Sequence, residues 1–591
     1  MTFAYLIIAR RELDEPGFAL AIGDWVAELA SVGWRRTWSG PSAVVMVRGG
    51  RDLPFRTITE HCGLVLGELT ARAPGSEPIR MGFDEAAFER QCRRLSNDYW
   101  GRYVALRWPT DRLPAAVFRD PSGALDCITW RAAGVTVFSS GEYADLPSDL
   151  RPRLTLDWSR IAGFLADPTT VADALAFDGV RAIWPGELWY DDEPERAVQV
   201  WAPGQFASPL NRSDEALRLE LVGRVDRCVA ASLALGDRAL VEVSGGLDSA
   251  IVATSAARVE GRDVGAWLNY RASNTRSDER AFARTVAAEA GFPLTEAIRP
   301  VAPMSVEAWK PLLGGLRPPL NGFETRRDGD LARRCADLGC DLVLTGQGGD
   351  VVFFQEPTAL VVADLIRSGA RPAAVLAASL DVARWTRTSV WSVLRRGVGD
   401  PRGGRSASSH ARWSPITREC LDAAGQDPHP WLKGLDAIAP AKRLQIEALK
   451  ACQSFHGDSL TARSARVDHP LLAQPVVELC LQLPVHVLTR CRRDRAFARE
   501  AFSGRLPAAV LNRQAKGELA SHYGQVMGAS LAALRPLLLE GELVRHGLLD
   551  RARLEAVLTP QDLILQGNAF GLASAALIET WASGWVARGK L

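Results

Sequence analysis

The sequence predicts an α/β chain in three stretches, on three observations. From residue 1 to about 205, short alternating or aromatic-rich runs follow one another between turn residues, the pattern of a strand-rich α+β sandwich. From about 206, apolar strands alternate with helical segments, which argues for a parallel, doubly wound sheet. Beyond about 355 the apolar spacing turns helical and offers no convincing strand.

In the first stretch, Phe3 to Ile8 reads as a strand, and Ala43 to Val47, Tyr103 to Trp108, Val135 to Phe138 and Leu188 to Tyr190 read as others. The run at Phe3 is too short for a signal-peptide core and is followed by Arg10-Arg11-Glu12, so no secretory leader is expected. In the second stretch, strands are expected near 239 to 243, 264 to 269, 293 to 298 and 341 to 345. Helices are expected near 250 to 259, 277 to 290 and 328 to 338. In the third, long Ala/Leu/Arg segments run over Leu360 to Val393, with a break near Pro372, and over Leu432 to Gln453. Residues 395 to 410 combine Gly, Ser and four arginines with almost no apolar anchor and read as a loop, either an uninvolved insertion or a lid.

Composition bounds the function. A chain of 591 residues, 47% hydrophobic and 24% charged, is long enough for two or more cores. Its net charge of +1 argues against a dedicated nucleic-acid binder, and no segment approaches the roughly 20 apolar residues of a membrane span. Ten cysteines without a CxxC pair read as buried thiols in a reducing cytoplasm.

Chemistry concentrates in two turns. After the strand ending at Val243 comes Ser244-Gly245-Gly246-Leu247-Asp248-Ser249 and then an Ala-rich helix. The glycines let the backbone approach a bulky anion, and N–H groups at the helix start supply donors, so the turn reads as a phosphate cradle. It carries no lysine. Its charged residue, Asp248, meets phosphate favourably only across a cation, which implies Mg2+. A second apolar strand, Asp341 to Thr345, leads into Gly346-Gln347-Gly348-Gly349-Asp350. If the two strands are neighbours, Asp248 and Asp350 sit at one sheet edge and share the metal, while Gly346, Gly348 and Gly349 line the phosphate.

The first turn resembles the pyrophosphate loop of N-type ATP pyrophosphatases, and the two turns together resemble the synthetase domain of asparagine synthetase B-type enzymes. Other pieces agree: Arg495 to Arg499, Leu506-Pro507 and Arg513-Gln514-Ala515-Lys516-Gly517 resemble that family's closing pattern, and Pro470-Leu471-Leu472 its Pro-Phe-Leu turn. Upstream, Arg119 to Gly123, Phe138-Ser139-Ser140 and Pro185-Gly186 resemble its glutaminase domain. The resemblance implies a glutaminase-like (Ntn-type) sandwich over 1–205 and an ATP-dependent synthetase domain over 206–591. It also implies ATP as co-substrate and Lys516 as the catalytic cation.

Departures narrow the branch. Thr2 stands where a glutamine-using enzyme needs cysteine, so ammonia release is not expected. Val351 replaces the glutamate that usually follows the Gly-Gly-Asp turn. With Trp100-Gly101-Arg102-Tyr103 and the Pro470 to Glu478 segment, these features resemble the lasso-peptide macrolactam synthetases. That branch implies a precursor peptide as substrate, with a leader-peptide-binding protein and a leader protease as partners. A β-lactam-type or asparagine-synthetase-like ligase acting on a small amino acid, and an inactive scaffold, remain open at this point.

Overall fold

The computed structural model describes residues 4–12, 14–49, 55–57, 63–73, 85–110, 113–141, 143, 145–193, 195–271, 278–399, 413–424, 429–490, 493–513, 520–565 and 569–589. The chain is mixed α/β, with antiparallel sheets in its N-terminal part and a parallel sheet with helices after them.

Period-two alternation builds the N-terminal part. In strand Ala4–Arg10, Tyr5, Ile7 and Ala9 face a core shared with Leu64, Leu66, Val104 and Leu106 of a second sheet, while Leu6 and Ile8 face outward. There they meet Phe18, Ile22 and Leu29 of helix Glu15–Ser31. On the far side of the second sheet, Val65, Tyr103 and Phe118 pack against Phe88, Cys92 and Leu95 of helix Glu85–Asp98. Two six-stranded sheets thus lie between helices, in the layered α+β sandwich expected.

The second sheet system has five strands, all paired in parallel. In space they run Leu294–Ile298, Asp263–Arg271, Arg238–Glu242, Leu342–Leu344, Arg466–Asp468. Val241 and Leu344 face helices Asp214–Leu233 and Leu247–Ala256 on one side; Leu240 and Val343 face Leu331 and Cys335 of helix Thr325–Leu338 on the other. The sheet is therefore doubly wound.

Strand Arg466–Asp468 corrects the expectation that nothing beyond 355 forms strand. It is three residues long and contains one apolar side chain, so no periodicity announces it. The first helix also starts earlier than expected, at Leu247, which places Asp248 in its first turn. The segment from Leu360 breaks both at Pro372 and again at Arg387, whose φ of 54° ends helix Pro372–Thr386.

The C-terminal helices return to the N-terminal part. Trp585 of helix Ala569–Gly589 lies 5.6 Å from Tyr143 and 4.8 Å from Phe177, and Trp581 lies 5.4 Å from Phe177. All share one core with strand Ala4–Arg10. Eight cysteines are described, all buried and free. Among the described residues, no helix is long and apolar enough to cross a membrane.

Candidate active site at the sheet edge

Strands Arg238–Glu242 and Leu342–Leu344 are direct neighbours, and the chain order reverses between them. Ligands of open α/β sheets bind in the crevice at such a switch point, beyond the carboxyl ends of the strands. Both glycine turns open there.

The first turn is shaped by its own hydroxyls. Ser249 Oγ accepts from Ser244 N–H at 3.1 Å and lies 2.9 Å from Ser244 Oγ, which accepts from Gly246 N–H at 3.2 Å. Gly245 has a φ of 90°, and a side chain there would meet the Glu279 carbonyl at 2.6 Å, so only glycine fits. Helix Leu247–Ala256 begins at Gly246 with no side-chain cap, leaving its first N–H groups to serve an anion. Asn269 on the neighbouring strand holds the approach by donating to the Val243 carbonyl at 2.7 Å.

The second turn is pressed against the first. A Cβ on Gly346 would strike Ser249 N, and one on Gly349 would come within 2.6 Å of Asp248 Cβ. Gly348, with a φ of 83°, leads into the short helix Gly349–Val352, whose first turn carries Asp350. The backbone after Asp350 is secured from below. Gln445 donates to the Val352 carbonyl at 2.8 Å and accepts at 2.6 Å from the buried Lys442, which also donates to the Cys480 and Leu483 carbonyls.

Asp248 is 8% exposed, and its Oδ2 accepts from Arg495 Nη1 at 2.6 Å. Sequence reading placed Arg495 in the closing pattern but gave it no partner. The structure makes it a cation of the site, paired with Asp248. Burial opposes its charge, yet the carboxylates of Asp248 and Asp494, with a further contribution from Asp350, raise its pKa above the ordinary value. Arg495 adopts a φ of 50° and its N–H donates at 3.2 Å to the carbonyl of Phe354, itself at 63°. Two non-glycine residues in the left-handed region facing one another are strained backbone at a functional position.

Among the described residues, no cluster of three or more His, Cys, Asp or Glu could cage a metal ion. The pair Asp248 and Asp350 nevertheless suits Mg2+ brought in with phosphates, since that ion needs only one or two protein carboxylates beside its phosphate and water ligands. Sequence reading had Asp248 and Asp350 share the metal; the structure adds Arg495 as a further partner of Asp248.

Lys516 and Thr2 lie outside the described residues. Arg513, three positions before Lys516, donates to the Gly245 carbonyl at 3.1 Å, pairs with Glu279 and covers the Phe282 ring at 4.4 Å. Arg513 thereby ties the end of this described segment to the rim of the first turn.

A model of the asparagine synthase family matches residues 220–583, more than half of the chain. The chain belongs to the asparagine synthase family. Membership makes it an ATP-dependent amide-forming ligase. No curated protein matches the chain. Among solved structures it is similar to glutamine phosphoribosylpyrophosphate amidotransferase from B. subtilis complexed with ADP and GMP, at 12% identity, 51% coverage of this chain, 83% of that one and a TM-score of 0.19. It is also similar to an allosteric regulatory enzyme of purine biosynthesis, at 14% identity, 52% and 77% coverage and a TM-score of 0.18. These scores are too low to bear on substrate or mechanism.

The remaining sequence features of this asparagine synthase family chain gather at the seam between the sandwich and the parallel sheet. Arg102, from the Trp-Gly-Arg-Tyr stretch, donates to Glu68 at 2.8 Å, and Arg466 pairs with the same carboxylate. Burial would raise the Glu68 pKa, but Arg102 and Arg466 hold it down to about 2. Glu478 accepts from Arg72 and from Trp201 Nε1 at 2.9 Å. Pro185 O accepts from Trp431 Nε1 at 3.1 Å. These contacts lie at the seam rather than at the sheet edge.

Proposed function

We propose that this enzyme is a macrolactam synthetase: it activates an Asp or Glu side-chain carboxylate of a precursor peptide and joins it to that peptide's N-terminal amine. The observation that carries the adenylating half is the meeting of the two glycine turns at the switch point, with Asp248, Asp350 and Arg495 around the crevice. Support for an intramolecular amine comes from Thr2, which stands where a glutamine-using enzyme has cysteine, so that position offers no thiol for releasing ammonia from glutamine. Val351, in place of a glutamate after Asp350, removes a carboxylate from the crevice and sets the chain apart from asparagine-forming relatives.

The chemistry follows from the groups present. A carboxylate oxygen attacks the α-phosphorus of ATP, forming an acyl-adenylate as pyrophosphate departs. N–H groups of the first turn and the Arg495 guanidinium meet the growing charge on the leaving oxygens. Mg2+, held by Asp248 and Asp350, supplies further neutralisation of the phosphates when bound. The amine then attacks the acyl carbon, AMP leaves with the bonding electrons, and the amine gives up a proton. Holding two ends of one peptide in near-attack geometry is worth about 7 to 11 kcal/mol of barrier. In this reading Lys516 supplies charge to the acyl carbonyl, and a leader-peptide-binding protein and a leader protease present the substrate.

The test is incubation with Mg2+, ATP and candidate core peptides. Loss of one water from the peptide with stoichiometric AMP and pyrophosphate is expected. Formation of ADP and phosphate, or amidation of a free amino acid without any cyclised peptide, would overturn the reading.

A further inference from the structure

His469 stands immediately before the Pro470–Leu472 turn, on the carboxyl end of strand Arg466–Asp468, and is only 4% exposed. Its Nδ1 lies 2.7 Å from Thr345 Oγ1, and its Nε2 lies 3.3 Å from the Phe455 carbonyl oxygen. A carbonyl cannot donate, so Nε2 carries the hydrogen and Nδ1 is the acceptor. The Thr345 hydroxyl therefore gives its hydrogen to His469, and its lone pairs are free to accept the Gln347 N–H at 3.2 Å. One directed chain results: Gln347 N–H to Thr345, Thr345 to His469, His469 to Phe455.

That chain begins inside the second glycine turn. Gln347 is the residue between Gly346, pressed on Ser249, and Gly348, pressed on Leu472. Leu472 N–H in turn donates to the His469 carbonyl at 2.9 Å, so His469 grips the turn through its side chain on Thr345 and through its backbone under Leu472. Burial lowers the imidazole pKa, which keeps it in the neutral form the chain requires.

We propose that His469 is a positioning residue that fixes the Gly346–Asp350 turn, through the Thr345 hydroxyl, in the conformation that receives ATP. The role rests on the reading of this edge as the ATP site, but not on the identity of the acyl acceptor. An asparagine side chain places a carbonyl oxygen near the position of Nδ1, whereas phenylalanine fills the space without an acceptor. Thr345→Val removes the hydroxyl at almost constant shape.

The experiment is calorimetric titration of the full chain with Mg·ATP in the absence of peptide, alongside thermal unfolding. His469→Phe is expected to weaken binding about tenfold, the cost of one buried hydrogen bond left unmade, and Thr345→Val, which also leaves the Gln347 N–H without its acceptor, by at least as much. The double variant should be no weaker than Thr345→Val alone, and His469→Asn should stay within about threefold of wild type. Additive losses in the double variant, or an Asn variant as weak as the Phe variant, would overturn the proposal and leave His469 as packing. Failure of the wild type to bind Mg·ATP would instead refute the ATP-site reading, and this positioning role with it.

Discussion

At the scale of single residues, the site is a negotiation among buried charges. Asp248→Asn and Asp350→Asn keep shape and remove charge, so pyrophosphate formation should fall by about 10²-fold or more in each, the size typical of losing one fixed electrostatic group. Near-normal rates in either variant would remove that carboxylate from the site. Arg495→Met leaves Asp248 buried without its guanidinium, at a cost of about 3 to 5 kcal/mol. Added Mg2+ should then raise the melting temperature of Arg495→Met more than that of wild type; no Mg2+ effect on Arg495→Met would show that no cation site forms at Asp248. Lys516→Ala should bind ATP within a few-fold of wild type while single-turnover cyclisation drops by about 10²-fold. Unchanged cyclisation would make Lys516 a surface lysine.

At the scale of elements, the seam that joins the sandwich to the parallel sheet is acid-sensitive. Glu68 titrates near 2 when folded and near 4.5 as an ordinary glutamate. Between those values the unfolded chain binds the additional proton, so stability is fully present above 4.5 and is lost as pH falls toward 2. The loss is at most roughly 3 kcal/mol, and Glu68→Gln should flatten the acid limb of the unfolding curve measured by circular dichroism. Legibility from sequence also divides at this scale. The glycine turns could be read because each holds both the conformational requirement and the charge within six or five consecutive residues. Strand Arg466–Asp468 could not, since it is strand only by pairing with Leu342–Leu344, more than a hundred residues earlier. Arg495 was visible as a motif residue but not as the partner of Asp248, 247 positions away, because nothing local specifies that encounter. The Trp100 and Glu478 segments stood out in the sequence, yet their contacts at the seam emerge only when the two sheet systems are brought together.

At the scale of the molecule, the two sheet systems are not separable pieces. A fragment of residues 206–591 would expose Trp581 and Trp585 and the apolar face of helix Ala569–Gly589 that Tyr143, Phe177 and helix Trp158–Ala166 cover. Such a fragment should aggregate, or bind a hydrophobic dye, where the full chain remains dispersed; a monomeric, ATP-binding fragment would refute this. The packing of helix Ala569–Gly589 on Phe177 and helix Trp158–Ala166 has a further meaning for how the protein is born. Phe177 leaves the ribosome nearly 400 residues before that helix. At about 5 to 20 residues per second, this part of the sandwich waits roughly twenty to eighty seconds for its cover. During that interval the nascent chain carries an apolar face whose partner is still to be made, so chaperone supply and translation speed bear on how much of it survives to fold.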